Sequence, residues 1–432
     1  MPKQTSLVDA LAVNDITPLR GTAQRMVSLN GQQAKRINLC ERLKHFTWAW
    51  FGMTMATGSL SVVLYMTPNQ FDGLFTIGKI VFLFDLVAFC TFLVLIIARF
   101  IMVPSSLYQS LHRNPTESLF FGAFWVSIAL LLQNIELYGQ QYCGPWLTKA
   151  LEICFWSYAA IVFCVGLFQY YTLFVEERLQ INGMMPAWVL PIYPFLVAGP
   201  LAAVLIGSQS QSSGYKMWLG GVMFQGLGWM VSIFMYTIYT LRLMTGDLPE
   251  PPLRAGMFIS VGPVCTSAFI LFISIDSFLL TYLSAYTALA FVALGIRAQE
   301  VLPPDFLGSS LHAGEIFKVL GAIVSIFLWL LGFWFFCLST IAGIAGFNRR
   351  GFTLTWWALV FPNSGLTLAL IKIGVVLESS VIKGVTSGMT IFLVILWLGV
   401  LFSTVQAVWR KRILFPGKDE DLREKRQDLH VV

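Results

Sequence analysis

Ten long apolar runs alternate with short polar connectors along most of the chain. They lie at Phe46–Met66, Leu74–Ala98, Leu119–Tyr138, Leu147–Phe174, Pro186–Ile206, Met217–Met244, Gly256–Ile296, Ile316–Gly346, Phe352–Gly374 and Gly384–Trp409. A helix needs roughly 20 residues to cross hydrocarbon, so nine runs read as single crossings and the seventh, about 40 residues long, is long enough for two. The basic residues decide for one. With a single crossing there, Arg99 with Arg113, Arg178, Arg242 with Arg254, Arg349 with Arg350, and Arg410-Lys411-Arg412 fall on the same side as Lys35, Arg36, Arg42 and Lys44 ahead of the first span. The positive-inside bias makes that side cytosolic, and a second crossing would move the last two clusters outside. Lys149, Lys216 and Lys383 stay on the outer side, which a bias permits. The pattern therefore predicts ten spans with both termini cytosolic.

Helix breakers are not spread evenly among these spans. GMTMATGS in the first, PAWVLPIYPFLVAGP in the fifth, GMFISVGP opening the seventh and FPNSG in the ninth all lie in odd spans, whereas the even ones are longer and more uniformly apolar. Broken backbone at membrane depth is tolerated where protein or a water-filled cavity satisfies the freed groups. Short external turns join each odd span to the next even one, which predicts helical hairpins. The expected fold is thus an all-α polytopic membrane protein, ten helices in five hairpins, with odd helices lining a central pore. The third span lacks proline but carries Gln133, Asn134 and Glu136 toward its outer end. These would line an outer mouth or hydrogen-bond neighbouring helices.

Outside the spans, residues 1–41 are polar and have no apolar signal core, so they read as a disordered cytosolic tail with no cleavable leader. Residues 42–412 form the transmembrane domain and 413–432 a second cytosolic tail.

Composition narrows the class without changing this picture. With 57% hydrophobic and 12% charged residues in 432, the chain is no soluble globule. Its formal charge of +6 sits at span ends, where it sets orientation, and gives no nucleic-acid footprint. Seven cysteines without a CxxC pair and four scattered histidines predict no metal centre and no cofactor. No nucleophile, base and orienter set and no phosphate-cradling loop is present, so the sequence does not predict an enzyme.

The candidate chemistry lies in the odd spans. Phe361-Pro362-Asn363-Ser364-Gly365 puts a ring, a helix breaker and two polar side chains at about mid-membrane depth. It either faces a pathway or is a packed proline kink in which Asn363 caps the freed carbonyl. Thr54, Thr57 and Ser59 in the first span, Ser260 in the seventh, and Asn363, Ser364 and Thr367 in the ninth offer neutral donors. Such donors partly replace an anion's hydration shell without trapping it. Lys372 follows Phe361 by about three turns, on much the same face and nearer the outer surface. It attracts an anion, pairs with Glu378 or snorkels to the interface. Asp85, in an outer even span, is expected to have a cationic structural partner. Gln225 in FQGLGW is a weaker candidate, since an amide there can serve a neighbouring backbone.

Several separate stretches share a likeness: RLKHFTWAWFGMTMATGS, TIGKIV at Thr76–Val81, PAWVLPIYP at Pro186–Pro194, FQGLGW at Phe224–Trp229, RAGMFISVGP at Arg254–Pro263, FPNSG, and FPGKDED at Phe415–Asp421. Together they resemble the fungal malic acid transport proteins of the tellurite-resistance and dicarboxylate transporter family, which includes the plant slow anion channels. The resemblance covers nearly everything from Arg42 to Asp421. It implies ten helices as five hairpins, odd helices around a central pore in each subunit of a homotrimer, and a pore plugged by a phenylalanine at the position of Phe361. It also implies C4-dicarboxylate substrates such as malate and succinate, carried across the plasma membrane among its lipids. Sulfite efflux pumps are relatives, so a sulfite or small inorganic anion channel is the alternative; TMATG is more similar to the malate branch.

One stretch departs from the family pattern. Val264 to Leu283 reads as an insertion whose removal restores GMFISVGPSAYTALAFVALGI, a span of ordinary length. The hypothesis that it is retained intron sequence would be excluded by a spliced transcript encoding Ile270 to Leu280. Energetics constrain the mechanism as well: at about 100 mV, inside negative, importing a dianion alone costs roughly 4.6 kcal/mol. Import therefore needs accompanying protons or a partly protonated acid, with Asp85 and Glu136 the carboxylates to test as a relay, while export is assisted by the field.

Overall fold

The computed structural model describes residues 39–112, 115–177, 186–245, 276–303, 306, 312–345, 352, 354–411 and 413–414. Among them every element is helical, and ten helices have 13 residues or more. In chain order these are α1 (Phe51–Met66), α2 (Leu74–Met102), α3 (Pro115–Gly139), α4 (Pro145–Thr172), α5 (Tyr193–Leu205), α6 (Gln211–Thr245), α7 (Asp276–Val301), α8 (Ala313–Ala345), α9 (Phe361–Val376) and α10 (Ser380–Trp409). Eight helical stretches are long and apolar enough to cross a membrane, so the chain is a polytopic membrane protein. The shorter α9 is apolar too. Ser260 and residues 264–275 lie outside the described residues, while the backbone of 276–283 forms the first turns of α7.

The odd helices form the interior. Each packs on the next in a closed circuit, α1 on α3, α3 on α5, α5 on α7, α7 on α9 and α9 back on α1. Burial follows the same division: 83% of the first apolar segment and 94% of the fifth are buried, against 22% of the second and 28% of the eighth and tenth spans. The even helices turn large apolar side chains such as Val87, Ile101, Phe327 and Phe402 outward, as a lipid-facing surface requires. Inner and outer layers meet through small residues. Between α7 and α8, a Cβ on Gly321 would lie 2.5 Å from the Phe291 carbonyl oxygen and one on Gly295 2.9 Å from that of Phe317. Only glycine allows backbones so close.

Three inner helices begin in the same irregular way. A 3₁₀ stretch precedes each: Trp48–Trp50 before α1, Pro186–Ile192 before α5 and Leu354–Leu359 before α9. The proline of FPNSG consequently falls in the first turn of α9, where its missing N–H has no partner to lose. This corrects the expectation of a breaker in the middle of one continuous span: the break is the junction between the 3₁₀ stretch and the α-helix. Asn363 does serve a backbone carbonyl there, its Nδ2 donating to Leu359 O at 2.8 Å.

Two buried charges in the outer layer behave differently. Arg99 of α2 and Glu117 of α3 form an ion pair, and the same guanidinium donates to the Phe46 carbonyl at 2.7 Å. Asp85, fully buried in α2, has no hydrogen-bond or ionic partner among the described residues. The cation expected on a neighbouring helix is not found: among the described residues no basic side chain pairs with this carboxyl. Arg99 pairs with Glu117, and Lys79 lies over the Tyr142 ring at 4.3 Å. The carboxyl instead rests on α1 at Gly58, where a Cβ would come within 2.8 Å of its Oδ2.

Candidate functional site

The C-terminal ends of all five inner helices surround one cavity of about 720 Å³, within the usual range for small-molecule sites. Tyr65 of α1, Gln133 and Glu136 of α3, Pro200 of α5, Arg297 of α7 and Lys372 of α9 all face it. Three of these carry charge, two positive and one negative. Arg297 also carries an ion pair to Glu300, so what the space offers an anion is the Lys372 ammonium and the Nη2 edge of the guanidinium, in low-dielectric walls that strengthen both.

Arg297 is held from two sides. Its Nε donates to the Ala203 carbonyl of α5 at 2.9 Å. Its Nη1 donates to both carboxylate oxygens of Glu300, at 2.9 and 2.6 Å. The guanidinium also lies against Gly207, where a Cβ would come within 2.6 Å of Nη2. Lys372 is different, because no hydrogen bond or ion pair holds its ammonium group among the described residues. The two alternatives to an anion role were a pair with Glu378 and an excursion to the interface. Lys372 lines the cavity, and Glu378 sits in the turn after α9 with a left-handed backbone (φ 51°).

Below the cavity two aromatic rings pack together. Phe361 at the start of α9 and Tyr286 on α7 are both fully buried, 0% and 1% exposed. They stack with centroids 4.8 Å apart and planes 26° from parallel. The Tyr286 hydroxyl bonds Ser364 Oγ at 3.1 Å and is within hydrogen-bonding reach of Ser59. Three inner helices therefore converge on one phenol. Gly365 makes room for it, since a Cβ there would lie 2.3 Å from two of its ring carbons. The cavity reaches down to Val62, Leu289 and Leu368. Val62 and Leu289 come roughly one helical turn, about 5 Å, after Ser59 and Tyr286.

The structure thus gathers some sequence candidates and separates others. Phe361, Ser364 and Ser59 meet at Tyr286. Lys372 stands about three turns above them, roughly 16 Å along α9, in the cavity. Thr54 and Thr57 face other helices. Thr54 Oγ1 shares a 2.8 Å hydrogen bond with Ser127 of α3, and Thr57 Oγ1 accepts from Trp397 Nε1 of α10 at 3.0 Å. Thr367 donates back to the Asn363 carbonyl. Gln225 donates to Thr287 of α7, not to a backbone group.

Two residues of the site were missed in the sequence. Tyr286 looked like one more aromatic in an apolar run; its only signal is a bulky ring among the small neighbours Ser284, Ala285, Thr287 and Ala288. Arg297 stood at the edge of a span, where a basic residue is ordinarily interfacial. Only the fold turns it inward, onto Ala203 and Gly207.

Comparison with known proteins agrees with an anion-handling site. The family described as voltage-dependent anion channel (SLAC1) matches residues 45–405. A putative malic acid transport protein of Schizosaccharomyces pombe is 32% identical over 394 residues, covering 90% of this chain and 85% of its own. The malic acid transport protein of the same yeast is 31% identical over 392 residues, covering 90% and 84%. A sulfite efflux pump of Arthroderma otae is 24% identical over 397 residues, covering 89% and 96%.

Proposed function

The chain belongs to the voltage-dependent anion channel (SLAC1) family, a multi-pass membrane protein of anion transport, and on that premise we propose that it moves C4-dicarboxylates such as malate and succinate through a pore gated by Phe361. One observation carries the proposal: a cavity shared by all five inner helices and lined by Arg297 and Lys372 ends about one turn from the stacked Phe361–Tyr286 pair. Among the lining residues only Glu136 carries a further charge, and in this reading the rings part for an anion to pass. The malic acid transport named for two relatives favours dicarboxylates as the cargo.

In this reading the ten long helices are ten spans in five hairpins, with both termini cytosolic, so the cavity opens to the exterior of the plasma membrane. The outward apolar faces of the even helices meet lipid and the other subunits of a homotrimer. Export of malate runs with the membrane potential. Import of a dianion against about 100 mV costs roughly 4.6 kcal/mol, so protons accompany it or the acid enters partly protonated.

A second reading, an efflux channel for sulfite or another small inorganic anion, is favoured by the lower-identity sulfite pump. Flux from proteoliposomes loaded with malate, sulfite or chloride separates the two. Malate flux exceeding that of both inorganic anions is expected; sulfite or chloride flux without malate flux would overturn the dicarboxylate proposal.

A further inference from the structure

We infer that Arg297 and Lys372 form a two-point site for the two carboxylates of one substrate molecule, which waits in the cavity above the closed rings. The inference rests on the dicarboxylate reading and adds the residues that recognise the substrate.

Three observations lead to it. The two cations stand on different helices, α7 and α9, yet line the same cavity. Repulsion across a half-enclosed space of low dielectric is costly and is relieved by an anion between the charges. Second, neither cation is fully used. Lys372 has no partner among the described residues. Arg297 has Nε and Nη1 bonded, while its Nη2 makes no hydrogen bond to any described residue and lies where Gly207 leaves room. Third, Glu136 is the one carboxylate lining the cavity, and its Oε2 has no hydrogen-bond partner among the described residues. Glu300 compensates Arg297, and among the described residues no carboxylate pairs with Lys372, so the ammonium keeps its charge and the guanidinium keeps a free Nη2 edge for an anion.

The chemistry selects for length as well as charge. A carboxylate accepts two parallel N–H bonds from a guanidinium edge and takes an ammonium as a point charge. A four-carbon diacid carries one carboxylate at each end and engages both groups at once. A monocarboxylate must choose one. Sulfite or chloride is a single compact anion and gains little from the second cation if it is already held by the first. The site therefore ranks dicarboxylates above monocarboxylates of the same charge density, a preference that a positive vestibule alone would not give.

The test compares KM for succinate and for acetate in proteoliposomes, using wild type, Lys372→Gln and Arg297→Lys. Lys372→Gln is the cleaner variant because the side chain has no intramolecular bond to lose. It is expected to raise the succinate KM about tenfold or more and to leave the acetate KM within about threefold, since one charge-assisted contact is lost by the diacid alone. Arg297→Lys keeps the charge and loses the fork, and is expected to raise the succinate KM by a smaller factor. Melting of the purified protein gives a second readout: succinate raises the wild-type midpoint more than acetate does at equal ionic strength, and Lys372→Gln loses that excess. Equal effects on both acids, or an unchanged succinate KM and unchanged midpoint shift, would overturn the two-point site while leaving the dicarboxylate reading intact. Wild-type vesicles that carry sulfite and no succinate would remove the parent reading and the site with it.

Discussion

The phenol ring of Tyr286 lies flat between the Phe361 ring and Gly365, stacked on the first at 4.8 Å and filling the space a side chain would need at the second. In the proposed gate Phe361 is thus one of two stacked rings. Stacked aromatic pairs contribute about 0.5–1.5 kcal/mol beyond their area. Tyr286→Ala, with Phe361 still in place, is expected to raise basal anion current about two- to tenfold. Phe361→Ala should do at least as much. Patch-clamp recording of both variants checks this, and unchanged current in Tyr286→Ala would exclude the shared closure.

The hydroxyl of the same tyrosine makes a separable contribution through Ser364. Tyr286→Phe keeps the ring and removes one hydrogen bond, a loss of about 1 kcal/mol. Its basal current should fall between wild type and Tyr286→Ala. A Tyr286→Phe current equal to that of Tyr286→Ala would mean that the hydroxyl, not the stacking, holds the gate.

Gly365→Ala attacks the closure from behind. The new methyl would lie 2.3 Å from Cδ2 and Cε2 of Tyr286, so the ring or the helix must move. Overpacking of this kind costs about 1–3 kcal/mol. A lower melting midpoint together with a leak of anions is expected, measured on purified protein and in vesicles; wild-type values for both would show that the ring has free space to retreat into.

The Arg99–Glu117 pair and Asp85 should respond very unequally to neutralisation. Breaking a buried pair leaves one charge stranded, at a cost of about 3–5 kcal/mol. Glu117→Gln is therefore expected to lower folded yield and thermal midpoint sharply. Asp85 has no such partner among the described residues, so Asp85→Asn, equal in shape, should shift stability by less than about 1 kcal/mol. Comparing the two variants by fluorescence-detected size-exclusion chromatography checks both expectations.

Much of the architecture was legible because membrane physics writes it into composition along the chain. PAWVLPIYPFLVAGP could not face lipid, and it does form the most thoroughly buried segment; the uniform run of α2 could, and it is among the most exposed. What the sequence hid is what depends on which residues meet. The string does not show where a 3₁₀ stretch gives way to an α-helix, so it places Pro362 inside a broken span, pathway or kink, and not in the first turn of a helix. Asp85 was assigned a cation because a buried acid usually needs one, yet no described basic residue is free to reach it. Tyr286 and Arg297 acquire their positions only when α7 is laid against α9 and α5. Thr54 and Thr57 had the right chemistry, but their bonds to Ser127 and Trp397 turn them toward neighbouring helices.

The depth of the cavity has an electrical consequence. With the cavity open to the exterior as proposed, water and ions that reach Leu289 and Leu368 carry the external potential with them, and the membrane voltage does not fall evenly across the hydrocarbon thickness of about 30 Å. Most of the drop on that side is compressed into the thin septum around Phe361 and Tyr286. An anion crossing those two rings traverses a large share of the roughly 2.3 kcal/mol per charge that 100 mV supplies. In the proposed pore the short aromatic septum is therefore where transmembrane voltage would act on the cargo.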